Sequence, residues 1–269
     1  MAIVTISRGT FSGGKRLAAC LGATLGYRVI SREVLLTAAE RYGVREEILV
    51  KVIESPPTFW DRFRIDRQKY LAAIAASLCR EALADNVVYH GHAGHLLLAG
   101  VAHVVRARVI APMAMRTPEA MAAHDLNASA AEAYIQARDA ERVAWTKFLY
   151  NVDWHDGNLY DVVVNLEKIS LESACLVIAA IVDCPEFRAT PASQQALADL
   201  FLLNHVRASL FLNREVGAAA SAVDIRVQAG VVTLAGTLPV QRQCDIVLAA
   251  VRALPEVTSV HADLFWERV

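Results

Sequence analysis

The sequence predicts an α/β fold: a parallel sheet covered by helices on both faces, followed by a small α+β module. In the first part of the chain, short apolar runs alternate with stretches of helical spacing, an order typical of βαβ units. From residue 197 the order changes to α-β-β-α-β, with antiparallel pairing expected. A segment containing Pro, Ser and Gln lies between the two parts. We therefore expect domains at residues 1–184 and 197–269 and a linker at 185–196.

The first strand is predicted at "AIVTI", a continuous apolar run that suits a strand buried on both faces. The helix after it carries Leu17, Leu21 and Leu25 at helical spacing and should end at Gly26 as its C-cap. Further strands of this part are expected at "YRVI", "NVVYHGH", "HVVRARVIAP" and "YDVVVNL".

Helices are predicted between these strands. Ser31 should cap the helix "REVLLTAAERYG", and Pro56 and Pro57 break the pattern before the long helix "KYLAAIAASLCREALAD". After "TPEAMAAHDL", the helix "SAAEAYIQARDAERVAWTKFLY" should begin with a capping box of Ser129 and Glu132. The apolar segment "SLESACLVIAAIVD" is too short to span a membrane and predicts a buried helix.

The last part predicts two strands between two helices and a final strand. The helices are "ALADLFLLNHVRASLFLN" and "PVQRQCDIVLAAVRALPEV", and the strands are "VDIRVQAG", "VVTLAGTL" and "TSVHADLFW". Gly230 should serve the turn between the first two strands, and Gly236 a bulge or a close approach.

The composition excludes several classes of protein. Hydrophobic residues make up 55% of the chain, so a sizeable core is expected. The formal net charge is -1, and neither part has the cationic excess of a nucleic-acid binder. The five cysteines form no C-x-x-C pair, and no basic region precedes the first apolar run. Both observations favour a cytoplasmic protein with reduced thiols.

The stretch "SRGTFSGGKRLAACLG" fits the phosphate-loop pattern G-x-x-x-x-G-K. A glycine-rich turn between a strand and a helix presents backbone N–H groups and the positive end of the helix dipole to phosphates. A turn that merely caps the helix is the alternative. The predicted phosphate-binding residues are Gly9, Ser12, Gly13, Gly14, Lys15 and Arg16.

Arg16 stands where a phosphate loop usually has Ser or Thr. That hydroxyl is normally a Mg²⁺ ligand, whereas a guanidinium repels the metal but can pair with phosphate oxygens. Mg²⁺ would therefore be held by the phosphates, by water and by a carboxylate elsewhere.

The opening "VTISRGTFSGGKRLAACLGATLGYRVISREVL" resembles the cytidylate kinase-like family. The resemblance continues through "VVYHGHAGHLLL", "RARVIAP" and "AYIQARDAERVAWTKFLYNVDWHDGNLYDVVVNLEKISLESA", and covers about residues 1–183 in order. It implies a nucleoside monophosphate kinase fold, a three-layer parallel sheet. It also implies transfer of the ATP γ-phosphate to CMP or dCMP, with ATP and Mg²⁺ as cofactors.

The resemblance also assigns roles on the helix around "QARDAERVAW". Arg138 and Arg142 lie one turn apart and could clamp a phosphate chain, and Asp139 with Arg142 matches the family's D-x-x-R lid segment. Arg138, Arg142 and Lys15 are the expected catalytic residues. The alternative is a solvated helix face on which Glu141 pairs with the arginines. Asp161 is interpreted as a local carboxylate that ends a turn before a strand.

The segment "YHGHAGH" departs from the family. His90, His92 and His95 have a spacing seen in metal sites, but no Cys or acidic residue of the segment completes a ligand set, and we expect no metal there. His92 stands where the family has an arginine, and Ser31 replaces an aspartate before Arg32. The resemblance places Arg32, His92 and Asp139 on the acceptor side. For Arg32, a surface arginine at the start of a helix is the alternative.

The segments "IRVQAGVVTLAGTL" and "LPEVTSVHADL" resemble the BON domain, a family linked to lipid or small-ligand binding. A regulatory or interaction module is expected; a packing or dimerisation module, and hence a homo-oligomer, is the alternative. Membrane contact is not favoured, because no basic amphipathic face supports it.

Two functions follow. One is an active kinase that binds nucleotides and no nucleic acid. The other is a nucleotide-binding sensor or regulator without transfer activity, and it rests on Arg16, Ser31, His90 and His92. Neither the acceptor nor the BON ligand follows from the sequence.

Overall fold

The structure is a computed structural model that describes residues 2–31, 33–54, 64–91 and 93–267. These residues form two compact units. The first contains residues 2–31 and 84–190, and the second contains residues 33–52, 64–83 and 191–267. The helices between residues 33 and 83 therefore belong with the C-terminal part of the chain, whereas the sequence analysis divides the chain at residues 184 and 197.

The first unit is built on a five-stranded parallel sheet, as predicted. Its order is β2-β3-β1-β4-β5, which places β1 at the centre. Ile3 at the start of β1 is paired with Val87 on one side and Val104 on the other. The strands are β1 (Ile3–Arg8), β2 (Arg28–Ile30), β3 (Val87–Tyr89), β4 (Val104–Ile110) and β5 (Val162–Asn165).

Helices flank this sheet. Leu17 and Leu21 of α1 and Ile178 of α8 form a buried core with Val4 and Ile6 of β1. The alternate residues of β1 face the other way because side chains alternate along a strand. The helices of this unit are α1 (Gly14–Leu25), α5 (Gly94–Leu97), α6 (Met113–His124), α7 (Ala128–Tyr150) and α8 (Leu171–Val182).

Two predicted helix ends have different outcomes. Gly26 is the C-cap of α1 in the left-handed conformation, as predicted, and its N–H donates to Gly22 O. The predicted capping box of Ser129 is wrong, because Asn127 is the N-cap of α7 and its side chain accepts from Ala130 N. Asn is as good an N-cap as Ser, so the helix starts one residue before the predicted box.

The second unit contains helices from two distant parts of the chain. α4 and α9 pack along each other, with the buried Ala73 and Ala208 in one cluster where small side chains allow close approach. Tyr42 Oη lies 2.7 Å from His205 Nδ1. The helices are α2 (Glu33–Tyr42), α3 (Glu46–Glu54), α4 (Arg64–Ala82), α9 (Pro191–Leu212) and α10 (Gln241–Arg252). Of α3, the residues up to 52 belong to this unit.

The start of α9 falls inside the predicted linker. The helix begins at Pro191, because proline fits the first helical turn, where its missing N–H has no intrahelical acceptor. A short 3₁₀ turn at residues 185–187 precedes it. The segment around Pro56 and Pro57 lies outside the described residues.

A three-stranded sheet completes the second unit, in the order β6-β7-β8. β6 (Val223–Gln228) and β7 (Val231–Leu238) are antiparallel, whereas β7 and β8 (Ser259–Trp266) are parallel. The expectation of antiparallel pairing is therefore wrong for β8, because α10 carries the chain back across the sheet between them.

Both predicted glycine roles in this sheet are confirmed. Ala229 and Gly230 form the two-residue turn between β6 and β7, with φ of 50° and 77°. At Gly236 a Cβ would lie 2.2 Å from Ala222 O, so only glycine permits this approach. No helix in the described part of the chain is long and apolar enough to cross a membrane.

Candidate functional site

The phosphate loop occupies residues 9–13, between the end of β1 and the start of α1. Gly13 is the N-cap of α1 and has a φ of 83°, which glycine adopts without strain. At Gly14 a Cβ would lie 2.1 Å from the Cδ atom of Arg8. Both glycines are therefore required by the backbone and by the packing of the loop.

The N-terminus of α1 is open to an anion. No side chain caps it, and its first N–H groups have no carbonyl four residues earlier within the helix. Lys15 and Arg16 are exposed beside it. Arg16 Nη2 lies 3.1 Å from Glu119 Oε1, but this pair is mostly exposed and holds the arginine only weakly.

The loop is anchored through Thr10. Asp139 Oδ1 accepts hydrogen bonds from Thr10 N at 2.9 Å and from Thr10 Oγ1 at 2.8 Å. Arg116 Nε donates to Thr10 O at 2.7 Å, and Arg116 Nη2 lies 2.5 Å from Asp139 Oδ2. Because these bonds involve charged groups, they fix the loop more firmly than neutral bonds would.

Arg142 reaches the same loop. Its Nη1 atom donates to Thr10 Oγ1 at 2.8 Å, to Arg8 O at 3.3 Å and to Asp139 Oδ1 at 3.2 Å. Burial, followed by the charge of Arg8, lowers the pKa of Arg142 to about 10, so the guanidinium is still protonated at neutral pH. Asp139, for which the acceptor side is predicted, binds Thr10 of the loop.

Arg138 is directed elsewhere. It lies 2.9 Å from Glu141 Oε2 and above the ring of Tyr134. Its side chain is 43% exposed. Of the two arginines predicted on this helix, Arg142 contacts the loop, and Arg138 makes the surface pair that the sequence analysis held as its alternative.

A small cavity lies beside the loop, with a volume of about 20 Å³. Arg8, which was not among the predicted site residues, lines it, and burial lowers the pKa of this arginine. The signal was present, since an arginine directly before a glycine-rich turn is unusual in a buried strand. The lining residues are Ser7, Arg8, Gly91, Ala93, His95, Arg142, Trp145, Thr146 and Trp154.

A buried polar cluster supports one wall of this cavity. Arg108 of β4 is 6% exposed, lies 4.3 Å above the Trp154 ring and donates to Trp154 O. Trp154 Nε1 donates to Ser7 Oγ at 2.9 Å, and Ser7 Oγ lies 3.4 Å from Tyr160 Oη. These contacts fix the indole against the end of β1.

The structure describes two of the three histidines of the segment "YHGHAGH". His92, like Arg32, lies outside the described residues. His90 and His95 are both buried. Burial, followed by the charges of Arg106 and Arg108, lowers the pKa of His95 to about 4, so this imidazole is neutral at physiological pH. Among the described residues, no group of three or more His, Cys, Asp or Glu is arranged to hold a metal.

Asp161 has a structural role, in keeping with its interpretation as a local carboxylate. It accepts from Arg106 N at 2.8 Å and lies 2.6 Å from Arg106 Nη2. This pair joins the start of β5 to β4 and lies away from the phosphate loop.

The chain is similar to known proteins over its first two thirds. The model of the cytidylate kinase-like family matches residues 3–168. None of the curated proteins matches the chain.

Solved structures are similar in fold. An uncharacterized protein from Eubacterium ventriosum has 16% identity and a TM-score of 0.52, over 68% of this chain and 99% of its own. TT1252 from Thermus thermophilus has 20% identity and a TM-score of 0.39, over 67% and 96%. A shikimate kinase from Bacteroides thetaiotaomicron has 11% identity and a TM-score of 0.41, over 68% and 99%. At 16% identity, the likeness to the Eubacterium ventriosum protein concerns the fold alone.

Proposed function

This chain belongs to the cytidylate kinase-like family, and we propose that it is a phosphotransferase that moves the γ-phosphate of ATP to a nucleoside monophosphate, with CMP or dCMP as the expected acceptor. The observation that carries the proposal is the uncapped N-terminus of α1, preceded by a loop that Asp139 of α7 anchors through Thr10. A phosphate chain placed there meets backbone N–H groups, the helix dipole and Lys15.

Phosphoryl transfer needs positioning and positive charge more than covalent help from the protein. In the proposed mechanism, the backbone of residues 12–15 holds the donor phosphates and Lys15 neutralises charge on the terminal group. Arg142, fixed beside the loop, stabilises the charge that spreads over the migrating phosphoryl group. The acceptor phosphate attacks in line with the bond to ADP, and no acyl or phosphoryl enzyme is required.

Mg²⁺ fits the described loop residues less well than ATP does. Arg16 replaces the usual hydroxyl ligand, and Ser12 Oγ donates to Gly9 O at 2.8 Å. The Asp139 carboxylate is occupied by Thr10 and Arg116. Mg²⁺ would enter bound to the nucleotide, and no step is assigned to a metal held by these residues.

A coupled phosphotransfer assay tests the proposal. Purified protein is given ATP, Mg²⁺ and a panel of nucleoside monophosphates, and the wild type is compared with Lys15→Ala. Loss of one charge-assisted contact to the transferred group should lower kcat/KM by about 10- to 100-fold. The exposed Lys147→Ala is the matched control and should behave as wild type. If no nucleoside monophosphate in the panel gives turnover that depends on Lys15, the proposal is wrong.

A second candidate is a nucleotide-binding regulator that transfers no phosphate. It is favoured by the same lack of free metal ligands at the loop. Calorimetry of ATP binding with and without Mg²⁺ separates the two, because a regulator should bind ATP equally well without the metal and show no turnover.

We also propose that residues 197–269 form a BON-like interaction module joined to a kinase-like domain at 1–184 by the segment 185–196. The α-β-β-α-β order and the glycines of its sheet support this proposal. Its role would be regulatory, and changes in transfer rate on removal of β6–β8 would test it.

A further inference from the structure

The cavity beside the phosphate loop has an unbalanced charge. Two arginines, Arg8 and Arg142, are its only charged lining residues, and no carboxylate of the described chain lines it. The other ionisable group in the lining is His95, which is neutral at physiological pH. Among the described residues, the lining of the cavity is therefore positive and includes no carboxylate.

The guanidinium of Arg8 is the group left unbalanced. It makes no hydrogen bond or ion pair with any residue in the part of the chain that the structure describes. Tyr89 acts on the charge of Arg8, but burial raises the pKa of this phenol, so it is uncharged at neutral pH. Arg142 differs, because it shares the Asp139 carboxylate. A largely buried cation without a partner is unfavourable and favours the binding of an anion.

The side chain of Arg8 occupies space that a side chain on residue 14 would fill. Its Cδ lies where a Cβ on residue 14 would be, so Gly14 leaves room for this side chain as well as for the loop backbone. Arg142 Nη1 donates to the backbone carbonyl of Arg8 at 3.3 Å, and both arginines line the cavity. The charge of Arg8 contributes to lowering the pKa of Arg142, and a bound anion would offset this repulsion.

We propose that Arg8, together with Arg142, binds the phosphate monoester of the acceptor in an anion subsite separate from the N-terminus of α1. This inference rests on the proposed function. The cavity has room for one or two oxygen-sized atoms, so it receives phosphate oxygens while the nucleoside lies outside it. The forked guanidinium of Arg8 suits paired phosphate oxygens, which a lysine binds only as a point charge.

The test compares wild type with Arg8→Gln and Arg8→Lys in two measurements. Steady-state kinetics give KM for the acceptor and for ATP, and calorimetry gives Kd for CMP and for ATP separately. Arg8→Gln should raise KM and Kd for CMP by about 10- to 100-fold and change the Kd for ATP by less than about threefold. Arg8→Lys should recover part of the CMP affinity. The exposed Arg188→Gln is the matched control.

The outcomes separate this inference from the proposed function. Transfer that depends on Lys15 with an unchanged CMP affinity in Arg8→Gln overturns the inference alone. CMP binding that depends on Arg8 without any transfer overturns the proposed kinase alone. Inorganic phosphate that binds as tightly as CMP would show a free-phosphate site and overturn the acceptor assignment. If Arg8→Gln does not fold, Arg8→Lys keeps the stem and the charge and decides the question by the same criteria.

Discussion

Thr10 connects helix α7 to the phosphate loop. Its backbone N–H and its hydroxyl both donate to Asp139, which is 129 residues further along the chain. Arg116 adds a bond to the carbonyl of Thr10. The position of the loop is therefore set by side chains from two helices as well as by its glycines.

We expect Asp139→Asn to destabilise the protein by about 2 kcal/mol, because it leaves Arg116 and Arg142 without their shared counter-charge. The change should appear as a lower midpoint of urea unfolding and as weaker ATP binding. Glu141→Gln is the control: it breaks a more exposed pair and should cost less than about 0.5 kcal/mol. Equal effects of the two substitutions would show that Asp139 does not anchor the loop.

His95 should make stability depend on pH. Its pKa is lowered to about 4 in the folded protein, so between about pH 4 and 6.5 the unfolded chain binds more protons at this residue than the folded one. The unfolding free energy should therefore fall as the pH drops through this window, by roughly 3 kcal/mol from His95.

Urea unfolding of wild type and His95→Phe at pH 4 and pH 7 checks this prediction. The wild type should lose more stability on acidification than the variant. Burial also lowers the pKa of His103, but His103 is present in both proteins, so the difference isolates His95. A loss of stability of the same size in the two proteins would contradict the prediction.

Among the elements, α1 depends most on a single small residue. Gly14→Ala places a Cβ 2.1 Å from Arg8 Cδ. We expect a loss of about 1–3 kcal/mol and weaker nucleotide binding, because the arginine or the helix start must move. Gly157→Ala is the matched control, since nothing lies within 4 Å of its Cβ. Thermal unfolding and ATP calorimetry measure both effects, and unchanged binding by Gly14→Ala would refute the packing argument.

A substitution in the turn between β6 and β7 should increase the stability of the protein. Ala229 has a φ of 50°, a left-handed conformation that is unfavourable for alanine, and its N–H donates to Asp199. Ala229→Asn should stabilise the protein by roughly 0.5–1 kcal/mol, because Asn-Gly is the preferred sequence for this two-residue turn. Gly230→Ala should act in the opposite direction, since its Cβ would lie 2.5 Å from Thr258 Oγ1. Chemical denaturation gives both values, and a destabilised Ala229→Asn would disprove the turn assignment.

For the whole molecule, the sequence was informative where the pattern is local. Short apolar runs that alternate with stretches of helical spacing predicted the parallel sheet. Glycines between a strand and a helix predicted the phosphate loop. The anchor at Thr10 could not be predicted, because nothing near Thr10 in the sequence marks Asp139 as its partner. The packing of α4 along α9 was missed for the same reason: apolar helices do not indicate which distant helix they contact.

This pairing predicts the behaviour of a truncated chain. A fragment of residues 1–190 lacks α9, so Ala73 and its neighbours on α4 lose a buried contact surface. Hydrogen exchange should become fast in α2 and α4 and stay slow in β1 and β4. Full-length protein is the control, and equal protection of α4 in the two would show that it folds without the C-terminal part.

The interleaved order of the two units also has a consequence for the newly made chain. Synthesis completes α4 at residue 82, but α9 begins only at residue 191. At ordinary translation speeds the helices of the second unit therefore wait roughly 5–20 s outside the ribosome before their partner exists. During that interval the buried face of α4 lacks the helix that covers it in the folded protein.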